Sequence, residues 1–536
     1  VYLKDTQSRN TKYPPEIKKT MNYFSLGHFK KTSFFLIILF AVMISSSHAQ
    51  DAMQEDKKDG QTNPAHINVF IDTAFVSTHE VSIKGQKISY RATTGNQPVW
   101  NEDGKPIASL QYTFYERTDI ENDERRPLLI SFNGGPGSAS VWMHIGYTGP
   151  RKIKISDEGY PIQPYGIEDN PHSVLDVADI VYVNPVNTGF SRILSEDVKR
   201  EHFFGVQADI DYLADWISTF VSRHDRWRSP KFLIGESYGT TRVSGLANEL
   251  QNSQWMFLNG VILVSPTGLG IDRDGPVGDA LTLPYFTATA WYHNALSSKL
   301  QQMQFDSLLA QVEEFTVQEF IPVLAQGGSV SNQRKNEIAQ QVAYYSGLSK
   351  QAVLDHNLRV PTSFFWKELL RDREMTVGRL DSRYRGQDAE NAGERYDYDP
   401  ALSSWLHAFT PAINYYLRND LGYETDLKYW MFGDVRPWDR SGNNTGENLR
   451  SAMAQNPFLH VMVQSGYFDG GTPYFDAKYT MWNLDKAGKL QDRMRFHGYG
   501  SGHMMYLRSQ DIVISNEDIR QFIKDAVPEA GTPAKY

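Results

Sequence analysis

Gly235-Glu236-Ser237-Tyr238-Gly239 fits GxSxG, and no other segment of the chain does. The apolar run Phe232-Leu233-Ile234 leads into it and the helical pattern TTRVSGLANELQ leaves it. Strand, sharp turn and helix are the setting in which a serine is held exposed as a nucleophile. Taken alone, the pentapeptide also fits an ordinary tight turn containing serine; the flanking elements favour the nucleophile. A serine hydroxyl attacks only when a histidine takes its proton, and that imidazole needs a carboxylate to fix its tautomer and stabilise its charged form. Downstream, SGYFDGGTPY supplies Asp469 and HGYGSGHMMY supplies His503. Asp476 is a competing acid that reads as a helix-start residue, and His497 is a competing base closer to a strand end. A further motif, SFNGGPGSAS from Ser131 to Ser140, follows an apolar strand pattern with closely spaced glycines. Glycines let backbone N–H groups approach a ligand closely, as an oxyanion site requires. No Lys-Ser/Thr follows, which argues against a phosphate loop. Together these residue types point to acyl transfer through a covalent serine intermediate.

The elements that must position them alternate. The segments 79–95 and 108–117 alternate apolar with polar residues around the turn-forming NEDGK, and read as antiparallel strands at a sheet edge. RPLLISFNGG and ADIVYVNP carry nearly continuous apolar runs, as buried central strands do. Residues 205–224 place Ile210, Leu213, Trp216, Ile217 and Phe220 at helical spacing. With KFLIG, the Ser237 turn and NGVILVSP, the order predicts an α/β fold with a mostly parallel central sheet. We expect four regions: an upstream segment and signal peptide at 1–49, the N-terminal part of the core at 66–270, a helical cap insertion at 271–450, and the C-terminal part of the core at 451–536. An insertion after a strand end lies over the carboxyl edge, where open α/β sheets bind ligands.

With 536 residues, 40% hydrophobic and 22% charged, the chain can bury a large core. Its net charge of −9 has no basic stripe, which argues against a nucleic-acid partner. There is no cysteine, so no disulfide supports the fold. Near the N-terminus, Lys30-Lys31, the apolar run Phe34 to Ile44 and Ser47-His48-Ala49 read as a secretory signal, with Met21 as a start. The apolar run is too short to span a bilayer, where about 20 residues are needed. The expected location is outside the cytoplasm, periplasmic or extracellular.

NGGPGSAS, GESYGTTR, SGYFD and GSGHMMY, in this order, resemble the serine carboxypeptidase family of α/β hydrolases over roughly residues 75–525. The resemblance implies an α/β-hydrolase fold and removal of residues from peptide C-termini. It implies Ser237 as nucleophile, His503 as general base, Asp469 as its partner, and the N–H groups of Gly135 and Tyr238 as oxyanion hole. It also implies that Asn133, Gly134 and Glu236 recognise the substrate's terminal carboxylate, which requires a protonated Glu236, since like charges in contact raise one pKa. The chain departs from the family pattern at Tyr147, where a second glutamate that shares a proton with the first is expected. Tyr147 is therefore a further candidate for binding that carboxylate. Ser138 replaces a usual cysteine, and Asn184 and Asn187 replace an expected Asp and Gly.

An esterase or acyltransferase could use the same triad, and a silent binding module is the reading from another class. No metal or other cofactor is expected: HExxH is absent, no His cluster has ligand spacing, and GIDRDG lacks the later acids of a calcium loop. Trp405, Tyr415, Tyr416, Trp430 and Trp438 are aromatic candidates for pocket lining, with core packing as the alternative.

Overall fold

The computed structural model describes residues 67–121 and 124–535; the predicted signal at 28–49 lies outside them. The chain begins with three long strands, β1 (Thr73–Ile83), β2 (Gln86–Trp100) and β3 (Pro106–Arg117). Then come β4 (Leu128–Phe132), β5 (Asp179–Val183), β6 (Lys231–Glu236), β7 (Gly260–Val264), β8 (His460–Gly466) and β9 (Met494–Tyr499). They form one sheet in the order β1-β2-β3-β5-β4-β6-β7-β8-β9. Pairing is antiparallel from β1 through β3 to β5 and parallel from β5 onward. This is an α/β-hydrolase sheet, with antiparallel strands at one edge as the alternating patterns predict. One detail differs. The stretch 79–95 is not one strand, because Lys84 and Gly85 both take positive φ and make a two-residue hairpin turn between β1 and β2.

Every residue of β4, β5, β6 and β7 is buried, which is why these runs carry almost no polar side chains. Successive residues face opposite sides. Ile130, Val181, Leu233 and Leu263 pack with Ile210, Leu213 and Ile217 of α1 (Val206–Arg223) and Val243 and Leu246 of α2 (Tyr238–Asn252). On the other face Leu129, Ile180, Ile234 and Ile262 pack with Ile519, Phe522 and Ile523 of the C-terminal helix 509–526. The sheet is thereby sandwiched and its strand ends are fixed. Among the described residues no helix is long and apolar enough to cross a membrane.

Between β7 and β8 lie helices including α3 (Leu283–Tyr292), α4 (Phe305–Phe315), α5 (Asn332–Ser346), α6 (Pro400–Tyr415) and α7 (Thr445–Gln455). The first three of these share their own core around Phe286, Val312, Ile338 and Phe365. Trp405 and Tyr416, by contrast, are buried in the core of the main sheet.

Candidate active site

Four loops at the carboxyl ends of parallel strands supply the site. β6 ends at Glu236, and Ser237 begins the turn into α2 at φ 58° and ψ −126°. A non-glycine residue held there is strained, and such strain persists only where the surroundings impose it. The Ser237 N–H donates to the Val264 carbonyl at 3.0 Å, and the Ser237 carbonyl accepts from the Thr240 N–H at 2.9 Å. The serine hydroxyl does not cap its own helix. Gly235 is required by crowding, since a Cβ there would stand 2.2 Å from the Gly239 carbonyl oxygen. Gly134 is required likewise: its Cβ would meet the Tyr238 nitrogen at 2.5 Å, so the glycine loop lies directly against the start of α2. This close approach puts the loop holding Gly135 beside the Tyr238 N–H.

Asp469 follows β8 and His503 follows β9. The His503 Nδ1 lies 2.7 Å from Asp469 Oδ2, with the acid fully buried and the histidine 5% exposed. Asp469 Oδ1 accepts N–H groups of Gly471 at 2.7 Å and Thr472 at 3.0 Å, and Oδ2 accepts the Thr472 hydroxyl at 2.7 Å. The carboxylate is thus held in one orientation by donors to both oxygens. The histidine backbone is fixed as well: its N–H donates to the Leu380 carbonyl at 2.6 Å and its carbonyl accepts the Ser265 hydroxyl at 2.8 Å. Burial pulls the His503 pKa down, but the charge and hydrogen bond of Asp469 and the charge of Glu236 outweigh it, and the net direction is upward.

Ser237, His503, Gly134, Gly135 and Glu236 line one cleft of about 380 Å³. Its remaining walls include Trp142, Leu402, Phe432 and Met504, with Arg379 and Arg436. Glu236 is 2% exposed, and burial raises its carboxyl to about 7 against the opposing effects of His503 and its hydrogen bonds. Oε1 accepts from Asn133 Nδ2 at 3.0 Å, and Oε2 accepts a short hydrogen bond from the Tyr506 hydroxyl.

The structure does not bring Tyr147 into this cleft. Its side chain is fully buried, its hydroxyl donates to Gln464 Oε1 at 2.7 Å, and its ring stacks on Tyr506 at 4.5 Å. Tyr506, which closes the GSGHMMY motif and to which the sequence alone assigns no role, is the tyrosine that reaches Glu236. Neither competing residue joins the site: Asp476 pairs with Arg273 at 2.9 Å, and His497 Nδ1 is 3.5 Å from Asp518. Arg242 was also missed. It is completely buried, pairs with Asp209 at 2.7 Å and donates to the Asn133 carbonyl at 2.6 Å, bracing the glycine loop from below. Its place one turn after Ser237 on α2 was the available signal. Asn184 accepts from the Ser140 N–H at 2.7 Å, and Asn187 takes a positive φ of 60°. Of the aromatic candidates none lines the cleft; Tyr415 is 60% exposed, and Trp438 packs edge-on against Tyr238.

The chain is similar to Serine carboxypeptidase-like 31 of Arabidopsis thaliana, 25% identical over 438 residues that cover 76% of this chain and 78% of that protein. Serine carboxypeptidase-like 47 of the same plant is 29% identical over 196 residues, covering 36% of this chain and 34% of that one, so the match spans only about a third of that relative's length. Among solved structures, Kex1(delta)p, a prohormone-processing carboxypeptidase from Saccharomyces cerevisiae, aligns with 81% of this chain and 91% of its own at 13% identity and a TM-score of 0.48. A family model described as serine carboxypeptidase matches residues 85–493, a span that takes in the glycine loop, Ser237 and Asp469 and most of the described chain, and on that match the chain belongs to the serine carboxypeptidase family.

Proposed function

We propose that the protein is an exported serine carboxypeptidase that cleaves C-terminal peptide bonds through an acyl-enzyme, with Ser237, His503 and Asp469 as its triad. The observation that carries this reading is the buried His503–Asp469 hydrogen bond opening on the cleft that also holds the strained Ser237. His503 accepts the Ser237 proton as Oγ bonds to the peptide carbonyl carbon. The N–H groups of Gly135 and Tyr238 take the developing oxyanion. The C–N bond then breaks, His503 returns the proton to the leaving amine, and water hydrolyses the ester by the same route. Asp469 holds the imidazole and offsets its positive charge. Residues 271–450 act as a cap, a role supported by Arg379, Leu380, Leu402, Phe432 and Arg436 on the cleft wall. Peptides are the substrates; the predicted signal at 28–49 supports export.

An esterase or acyltransferase is the second reading, favoured by one observation: both Glu236 oxygens already accept hydrogen bonds and Tyr147 is turned away. Hydrolysis of an N-blocked dipeptide and of its C-terminal amide, by wild type and Ser237→Ala, separates the two. The carboxypeptidase reading expects the free acid cleaved, the amide spared and the alanine variant inactive. Turnover of a simple aryl ester with no peptide cleaved overturns it.

A further inference from the structure

The cleft contains a cation that makes no hydrogen bond to the proposed triad, although its charge acts to lower the His503 pKa. Arg379 is partly buried on the cleft wall, with Nη1 3.5 Å from the position a Cβ on Gly471 would take, beside the loop that holds Asp469. Its charge acts on the Tyr396 hydroxyl, on the Asp399 carboxyl and on His503, but among the described residues no carboxylate oxygen stands at salt-bridge distance from it. The adjacent acid feels this charge but spends its oxygens on the backbone. Asp399 accepts three backbone N–H groups, those of Arg379 at 3.1 Å, Leu380 at 3.2 Å and Ala401 at 3.1 Å, and so pins the segment's backbone. The next residue, Leu380, accepts the His503 N–H through its carbonyl, which fixes Arg379 in register with the catalytic histidine.

A guanidinium on a cleft wall with no carboxylate at salt-bridge distance keeps donors available for an anion that a substrate brings. Arginine also presents a fork of donors matched to a carboxylate. Glu236 in the same cleft is a poor receptor for an anion whenever it is ionised, and Tyr147, outside the cleft, is spent on Gln464.

We propose that Arg379 is the substrate-carboxylate receptor of this cleft, binding the anionic group of a peptide while Ser237 attacks its backbone. This rests on the hydrolase reading of the same cleft and deepens it. A peptide offers two sources of that group, its C-terminal carboxylate and an acidic side chain.

The test measures kcat/KM for N-blocked dipeptides ending in Leu or in Glu, and for a neutral aryl ester, in wild type, Arg379→Ala, Arg379→Lys and Arg436→Ala. It also measures inhibition of ester hydrolysis by N-blocked leucine. Arg379→Ala is expected to lose about 10- to 100-fold on free-acid peptides and to weaken the inhibitor by a similar factor, keeping ester turnover. Lysine is expected to restore part of the loss. An equal loss on both dipeptides identifies the terminal carboxylate; a loss confined to the Glu peptide, with inhibition by N-blocked leucine unchanged, identifies the side chain. Equal losses on acid and ester, no loss on either peptide together with an unchanged inhibitor, or a loss that follows Arg436→Ala instead, overturn the proposal. If wild type cleaves no peptide, the peptidase reading fails on its own, and the inhibition constant still decides the role of Arg379.

Discussion

Tyr506→Phe isolates a single hydrogen bond at the most strongly perturbed acid of the cleft. The Tyr506 ring is 1% exposed and lies nearly parallel to Tyr147, at 12°, so removing its hydroxyl leaves the packing in place. That hydroxyl donates to Glu236 Oε2 and favours the ionised carboxylate, while burial raises the carboxyl to about 7. A hydrogen bond to a charged group contributes about 1.5–3 kcal/mol, and 1.36 kcal/mol corresponds to one pH unit, so its loss moves the carboxyl upward by roughly one to two pH units. Two limbs then move in opposite directions. An anionic peptide entering the cleft that Glu236 lines is repelled less when that acid is neutral, so the alkaline limb of kcat/KM for a free-acid dipeptide shifts to higher pH. The Glu236 anion also helps raise His503, so a Glu236 that stays neutral lets the histidine titrate lower. The acid limb for an aryl ester therefore shifts to lower pH. Profiles from pH 4 to 9 on both substrates measure this, with circular dichroism as the folding control. An alkaline limb that stays in place or moves to lower pH refutes the electrostatic reasoning.

Glu236→Gln tests the same acid through stability. A folded pKa of about 7 against an ordinary 4.5 means that the native state binds the proton more tightly, so this group's contribution is present below 4.5 and lost as pH rises through 7. The neutral amide is expected to remove up to ~3 kcal/mol of pH-dependent cost at pH 8 and to make little difference at pH 4.5, read by urea unfolding at both. A wild type that gains stability relative to the variant across that interval contradicts it. Ser237→Gly should relieve the positive φ and raise stability by about 1 kcal/mol in thermal unfolding while hydrolysis disappears; an active glycine variant rules out the nucleophile assignment. Arg242→Leu leaves Asp209 buried without its cation and is expected to destabilise by about 3–5 kcal/mol, with a lower melting temperature at pH 7. A change below about 1 kcal/mol means that the pair does not brace the loop.

Much of the site is visible in the chain because its signals are local. The apolar run, the glycines around Ser237 and the helix that follows are contiguous, and the crowding at Gly235 is enforced by its near neighbours Gly239 and Thr240. The central strands are equally plain, since strands buried on both faces leave unbroken apolar runs. What the sequence conceals comes from tertiary packing. Tyr506 meets Glu236 across 270 positions, and Gln464 meets Tyr147 across 317. No spacing rule connects them. The aromatic candidates went mostly into core packing because composition does not reveal which face of an element a ring occupies, as Trp405 at 1% exposure illustrates. Arg379 sits in an irregular segment, where no periodicity says which way a side chain points.

The substitution at Tyr147 acquires a physical meaning once its partners are named. Gln464 accepts the Tyr147 hydroxyl through Oε1 and donates through Nε2 to the Tyr499 hydroxyl at 2.9 Å and the Ser515 carbonyl at 3.0 Å. Tyr147 therefore belongs to a buried hydrogen-bond network that runs through Gln464 and Tyr499 to Asp518, and the ring it stacks upon carries the hydroxyl that reaches Glu236. A pair of carboxyls sharing one proton keeps that proton over a wide pH range, because the second charge resists formation beside the first. Glu236 has no such carboxyl partner hydrogen-bonded to it among the described residues; burial raises it to about 7 against the charge of His503 and the hydrogen bonds of Tyr506 and Asn133. Ionisation of Glu236 consequently adds a negative charge to the cleft in the range where His503, the proposed base, must also be neutral. Arg379, as the proposed carboxylate receptor, is the cleft feature that keeps an anionic substrate attracted on both sides of that change.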